Sequence, residues 1–118
     1  MVLVDTSVWI NHLKTGDARL KKLLTEGLVF VHPFIIGEIA CGFLKNRSEI
    51  ISLLQTLPQA RIADESEFLV FIEKNSLMAR GIGFVDVHLL ASAKLSSCRL
   101  WTYDKRLLEI AQEMGLKY

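Results

Sequence analysis

Cysteine and proline are scarce in this sequence of 118 residues, which contains two of each. The two cysteines, Cys41 and Cys98, lack the spacing of a disulfide framework and lie in apolar surroundings. We therefore expect free, buried thiols in a protein of the reducing cytoplasm. The sequence also shows no linker, repeat or low-complexity segment, so a single domain over residues 1–118 is predicted.

Long apolar runs and an excess of one charge are also absent. No run approaches the ~18 residues of a membrane span, because the longest candidate is interrupted by His32 and Pro33. The segment Met1–Asp5 lacks the basic region and long apolar core of a secretory signal. The net charge is +1, which excludes a basic protein that coats nucleic acid. Nucleic acid binding stays open, since an acidic pocket and a basic rim would cancel in the sum.

Apolar residues, in contrast, are abundant. They make up 51% of the sequence, and the mean hydropathy is +0.32. So small a domain cannot easily bury that much apolar surface. We expect part of it to be left for a partner protein or a second copy of the chain.

Short apolar segments alternate with helical patterns along the chain. Strands are predicted at Val2–Val4, Leu28–Val31 and Leu100–Thr102, with a further short strand at Ala60–Ala63. Strands that alternate with helices give right-handed crossovers and a parallel sheet covered on both faces. The predicted fold class is therefore α/β, a three-layer α/β/α sandwich with a central parallel sheet. The helices are predicted from Thr6 to about Leu13, from Asp17 until just before Gly27, from Pro33 onwards, from Ser48 to Pro58, from Asp64 to the break at Gly81 and Gly83, from Asp86 to Ala93 and from Lys105 to Met114.

Glu38 is the single charge in the otherwise uncharged, mostly apolar segment from Pro33 to Leu44. A helix that is apolar on every side is normally buried, and a buried carboxylate is costly unless a cation neutralises it. No basic residue lies within one helical turn of Glu38. The cation would therefore come from a distant segment or be a bound metal ion. A helix end exposed to solvent is the alternative.

Three aspartates fall where they can join Glu38. Asp5 directly follows the first strand, Asp104 follows the last strand after one residue, and Asp86 lies at a predicted helix start. Ligands of parallel sheets bind outside the carboxyl ends of the strands, where these carboxylates can converge. Each aspartate alone could be a helix N-cap, but Glu38 in mid-helix cannot. We therefore favour an acidic pocket that needs a cation, because crowded like charges repel, and carboxylate oxygens suit Mg2+ or Mn2+.

The motifs around these acids resemble those of the PIN domain, and most closely the VapC type of toxin from bacterial toxin–antitoxin pairs. They cover the whole chain in order: Val4–Ser7, Glu38, Val85–Ala93 and Thr102–Asp104. The resemblance implies a PIN-like α/β/α sandwich and a ribonuclease activity that depends on Mg2+ or Mn2+. It also implies an RNA substrate and a cognate small antitoxin that blocks the site. We further expect a homodimer.

Residue roles follow from the same resemblance. Asp5 and Asp86 are implied as metal ligands, and Glu38 and Asp104 complete the acidic pocket. The hydroxyl groups of Thr6, Ser7 and Thr102 would orient ligands or water. Many relatives carry one more acid at the position of Arg106, which argues against a firmly held second metal ion; Arg106 would contact a phosphate instead.

Basic residues border these segments and are predicted to contact phosphates of RNA more than its bases; they are Lys14, Lys45, Arg47, Arg80 and Arg106. An exposed helix end is the alternative for each. Trp9 and Trp101 are predicted to pack in the core rather than stack on bases. For His88, a place on the helix surface or a hydrogen bond to a ligand is favoured over metal binding.

The chemistry implied is hydrolysis of a phosphodiester. Carboxylate-held Mg2+ lowers the pKa of bound water and acts as a Lewis acid. A haloacid-type phosphatase would need an acid at position 7, where Ser7 stands. A receiver domain would need paired acids near the first strand and a lysine after the last. The remaining alternative is a catalytically inactive PIN-like module that serves as a protein or RNA scaffold.

Overall fold

A computed structural model describes the chain from Met1 to Tyr118. Strands and helices alternate along it. In chain order the elements are β1 (Val2–Val4), α1 (Thr6–Thr15), α2 (Ala18–Thr25), β2 (Val29–Phe30), α3 (Pro33–Cys41), α4 (Arg47–Thr56), α5 (Glu65–Lys74), α6 (Phe84–Leu95), β3 (Arg99–Trp101) and α7 (Lys105–Glu113).

The three strands form a parallel sheet in the order β2–β1–β3. Leu3 of β1 pairs with Phe30 on one side and with Leu100 on the other. Isolated parallel bridges extend the pairing outward, from Val31 to Gln59 and from Leu100 to Lys117. The helices complete a three-layer α/β/α arrangement, which confirms the predicted fold class. Because all strands are parallel and β1 is central, the chain leaves every strand at the same edge of the sheet.

The helix buried on all sides is α6. Its residues Val87–Ala93 are buried without interruption, as is the whole of β1. Burying apolar side chains stabilises a fold by about 25 cal/mol for each Å² removed from water. The prediction that the helix of Glu38 is buried on every side is wrong. In α3, only Ile35 and Ile39 are fully buried, and Gly37, Glu38 and Cys41 form an exposed face.

Three further details differ from the sequence predictions. The strand expected at Ala60–Ala63 is absent, and only Gln59 pairs with Val31. Helix α6 begins at Phe84 with Gly83 as its N-cap, so Asp86 lies in the first turn rather than at the start. Cys41 is exposed, while Cys98 is buried as expected.

Several large apolar side chains lie on the surface. Phe43 is fully exposed, and Leu53, Leu69, Val70 and Phe84 are each more than half exposed. The core nevertheless contains both tryptophans, as predicted, with Trp9 and Trp101 almost inaccessible to solvent. None of the helices has the length and apolar character needed to cross a bilayer.

Candidate active site

The acidic edge is the edge of the sheet at which the strands end. Asp5 follows β1 and Asp104 lies just beyond β3. Both aspartates are also helix N-caps: Asp5 Oδ1 accepts a hydrogen bond from the Thr6 N–H at 2.8 Å, and Asp104 Oδ1 accepts one from the Leu107 N–H at 3.0 Å. A carboxylate is favoured at a helix N-terminus by the unpaired N–H groups and by the helix dipole. The capping interpretation and the acidic pocket therefore apply to the same residues.

Asp5 is the most firmly held of the acids. It is only 7% exposed, and its Oδ2 accepts hydrogen bonds from the Ser7 hydroxyl at 2.8 Å and the Thr102 hydroxyl at 2.7 Å. These hydroxyls in turn accept from the backbone N–H groups of Tyr103 and Asp104. The network ties the end of β1 to the end of β3. It orients the Asp5 carboxylate through three donors.

Asp86 reaches the acidic edge from the first turn of α6. Its Oδ2 accepts a hydrogen bond from the Gly83 N–H at 3.3 Å. Partial burial raises the pKa of the Asp86 carboxyl, and the negative charges of Asp5, Asp104 and Glu38 raise it further, against the lowering effect of the Gly83 N–H. The charges of Asp5, Asp104 and Glu38 thus all reach Asp86.

Glu38 reaches the edge from the exposed face of α3. Its Oε1 accepts a hydrogen bond from the Thr6 hydroxyl at 2.6 Å. Because Thr6 immediately follows Asp5, this hydrogen bond links Glu38 to the end of β1. Glu38 is solvated, and its charge carries little of the burial cost that the sequence suggested.

The sequence of the chain matches a known protein family over almost its whole length. Residues 2–113 match the PIN domain. The chain belongs to the PIN-domain family. The predicted resemblance is thereby confirmed.

Two relatives agree with this PIN assignment. The chain is 44% identical over 117 residues to Ribonuclease VapC32 of Mycobacterium tuberculosis, from strains CDC 1551 / Oshkosh and H37Rv, with 98% of this chain and 94% of the relative covered. It is 28% identical over 120 residues to Ribonuclease VapC1 of Methanocaldococcus jannaschii, with 98% and 85% covered. The crystal structure of PAE2754 from Pyrobaculum aerophilum superposes with a TM-score of 0.62 at 19% identity, covering 92% of this chain and 78% of that one. That last likeness concerns the fold alone.

The four carboxylates, Asp5, Glu38, Asp86 and Asp104, suit a hard divalent cation in their chemical type. Carboxylate oxygens are what Mg2+ prefers, and crowded carboxylates need a cation. As the side chains stand, however, no three His, Cys, Asp or Glu groups are near enough to one another to hold an ion. Asp5 and Asp86 are at least partly buried, whereas Glu38 and Asp104 are exposed, and all four accept hydrogen bonds within the protein. Their chemical type therefore suits a divalent cation, while their present spacing does not form a complete set of ligands.

The predicted phosphate-binding residues are in different environments. Arg47 donates from Nε and Nη2 to the Ala40 carbonyl at the end of α3, and Arg80 forms an ion pair with Glu113 at 2.9 Å. Lys45 and Arg106 form no ion pair. The Arg106 guanidinium lies directly against the backbone of Gly81, where a Cβ atom would overlap it. Lys14, Lys45 and Arg106 thus have no ion-pair or hydrogen-bond partner in the protein, and Arg47 keeps its Nη1 free for a phosphate.

His32, His88, Phe34, Phe68 and Phe84 form an aromatic cluster that the sequence analysis did not predict. His88 is buried, and its ring stacks on Phe68 with centroids 4.1 Å apart. The expectation that His88 lies on a helix surface or hydrogen-bonds to a ligand is wrong, because its Nδ1 has no partner. His32 is fully buried, caps α3 through Nδ1, and lies 6.2 Å from His88 between ring centroids. Burial, with the nearby His88, lowers the pKa of His32 to about 4.

Proposed function

We propose that this PIN domain is an endoribonuclease that depends on Mg2+, or on Mn2+ in its place, and that it acts as the toxin of a toxin–antitoxin pair. One observation carries the proposal: carboxylates from four separate segments lie at one sheet edge, where their charges raise the pKa of Asp86. Both curated relatives are named ribonucleases, which supports RNA as the substrate.

The proposed metal ligands are Asp5, Asp86, Glu38 and Asp104. When bound, Mg2+ would supply an activated water and neutralise charge on the phosphoryl oxygens. Asp5 is oriented in advance by the Ser7 and Thr102 hydroxyls, so little ordering is needed on binding. Thr6 holds Glu38 until it turns toward the ion.

Basic residues bind the phosphates of the RNA substrate in this proposal. Arg106 and Lys45 are free to pair with phosphates flanking the scissile bond, a contact that is independent of sequence. Arg80 is already paired with Glu113, and we assign it a weaker role. Ser92, His32 and His88 are buried in the fold, and we assign them no role in binding the metal ion or the RNA.

The test is cleavage of single-stranded RNA by the purified protein with Mg2+, Mn2+ or EDTA. We expect cleavage only with metal, and its loss in Asp5→Asn and in Asp86→Asn. Asp64→Asn is the matched control, because Asp64 caps α5 outside the site and asparagine caps equally well. Full activity of Asp86→Asn, after contaminating nucleases are excluded, would refute the proposal. Binding of RNA without cleavage under any metal would favour the inactive scaffold.

A further inference from the structure

An open groove of about 530 Å³ lies beside the acidic edge. One wall is the exposed face of α3, with Gly37, Glu38 and Cys41, and the other is the start of α6, with Phe84 and Val85. Glu38 belongs to both the groove and the acidic edge. Whatever occupies the groove is therefore next to the reaction site.

Phe84 gives this groove a fixed aromatic surface. Its side chain is 62% exposed, yet its ring is held by three others: His88 at 4.7 Å, Phe68 at 5.1 Å and Phe34 at 6.0 Å between centroids. An exposed ring that is already held in place loses little conformational freedom when a ligand stacks on it. Phe84 also lies two residues before Asp86 on the same helical turn.

We propose that the groove binds an unpaired nucleobase of the RNA, stacked on Phe84, next to the phosphate at the acidic edge. This inference rests on the proposed function. A base is neutral and has a flat apolar face, so it can lie beside Glu38 without the repulsion that a phosphate would meet. Stacking on an aromatic side chain tolerates every base, because each has a π face.

A cation is held next to the residue that ends the α3 wall of the groove. Cys41 ends the groove wall, and the carbonyl of the preceding Ala40 fixes the Arg47 guanidinium through Nε and Nη2. Its third nitrogen, Nη1, makes no hydrogen bond within the protein. Arg47 is thus ordered near the groove and keeps one donor for a phosphate oxygen.

The experiment places a fluorescent ring at the proposed stacking position. Phe84→Trp is made together with Asp5→Asn, so that RNA stays intact while Mg2+ is present, and tryptophan emission is followed during titration with an oligoadenylate of eight nucleotides. We expect clear quenching, because a stacked base quenches an indole, whereas the parent protein has only the buried Trp9 and Trp101. Leu69→Trp is the matched control: it is 56% exposed and lines a different depression.

Two further measurements complete the test. Phe84→Leu keeps an apolar side chain without a π face, and we expect it to bind the oligonucleotide roughly tenfold more weakly, with an unchanged melting temperature as evidence of folding. Inorganic polyphosphate, which has charge but no bases, should leave the Phe84→Trp emission unchanged. Quenching by polyphosphate equal to that by RNA, or RNA binding by Phe84→Leu equal to that of the parent, would overturn the inference.

The quenching experiment and the cleavage experiment can fail independently of each other. If metal-dependent cleavage is found but Phe84→Trp is not quenched, the base site is wrong and the nuclease stands. If Phe84→Trp is quenched but no metal supports cleavage, the base site stands and the nuclease is wrong.

Discussion

At the scale of single residues, Thr102 is the clearest example of a side chain that acts through another. Its hydroxyl donates to the Asp5 carboxylate and accepts from the Asp104 N–H, so one buried group orients an acid and ties it to the backbone at the start of α7. Groups that orient metal ligands commonly contribute about 10–100-fold to metal affinity or activity.

We expect Thr102→Val, which keeps the shape and removes the hydroxyl, to raise the Mg2+ concentration needed for half-maximal cleavage by roughly tenfold. Thr102→Ser should restore it. Thr25→Val removes an exposed hydroxyl bonded only to its own helix and serves as the control. A Mg2+ titration of cleavage that is identical for all three variants would show that the hydroxyl has no role in orienting the acid.

His32 gives a pH dependence of stability whose sign can be worked out. Its pKa is about 4 in the folded protein and about 6.5 when unfolded. The unfolded chain therefore takes up the proton first, and the free energy of unfolding falls as the pH drops from 6.5 toward 4. The buried His88, whose pKa is also lowered by desolvation, acts in the same direction.

The size of the His32 effect is on the order of 3 kcal/mol, since each pKa unit corresponds to about 1.4 kcal/mol. His32→Asn keeps an acceptor for the Phe34 N–H but cannot titrate. Urea unfolding at pH 7 and pH 4.5 should show a smaller loss of stability in this variant than in the parent. Equal losses would mean that other groups cause the acid sensitivity.

At the scale of elements, the three aspartates at helix starts differ in what they contribute. Asp5 and Asp104 cap α1 and α7, whereas α6 is capped by Gly83, with Asp86 in its first turn. The folded state raises the pKa of Asp86, so its ionised form destabilises the metal-free fold at neutral pH.

Asp86→Asn should therefore raise the melting temperature in EDTA at pH 7, while Asp104→Ala should lower it through loss of a cap, by ~1 kcal/mol in free energy. Mg2+ should stabilise the parent by RT ln(1 + [L]/Kd), about 1.4 kcal/mol at ten times Kd, and Asp86→Asn less. Thermal melts in EDTA and in Mg2+ measure both effects. If Asp86→Asn loses stability regardless of metal, the carboxylate is structural.

Most of the elements could be predicted because their signals are local. Caps such as Asp17 and Asp64, and the apolar run of β1, are readable within a few residues. The missing strand at Ala60–Ala63 and the exposure of Glu38 depend on which neighbours cover a segment, and that is set by tertiary packing. The contacts of Thr6 with Glu38 and of His32 with His88 join distant segments, so spacing alone could not reveal them.

At the scale of the whole molecule, several large apolar side chains remain exposed on the surface. Fully exposed Phe43 and largely exposed Leu53 are examples. Monomeric proteins rarely leave large apolar patches uncovered. We still expect self-association, and an antitoxin that presents an apolar helix to a groove and a basic side chain to the acids.

Light scattering on a size-exclusion column should give twice the 13.3 kDa mass of the chain. If a small protein is encoded directly upstream, its co-expression should yield a complex in which Mg2+-dependent cleavage is suppressed. Lys21→Glu is a control for nonspecific charge effects, because Lys21 lies on the exposed side of α2. A stable monomer whose cleavage is unaffected by that neighbour would contradict both expectations.

The central position of β1 has a consequence for synthesis of the chain on the ribosome. Asp5 is made first, yet its Thr102 partner is 97 residues away, and β1 cannot pair with β3 until residues 99–101 have emerged. Closing so long a loop is slow compared with forming local helices. A translation product that stops between residues 87 and 98 therefore contains Asp5, Glu38 and Asp86 but lacks β3, Thr102 and Asp104. On the proposed function, such fragments released by stalled ribosomes should have no nuclease activity.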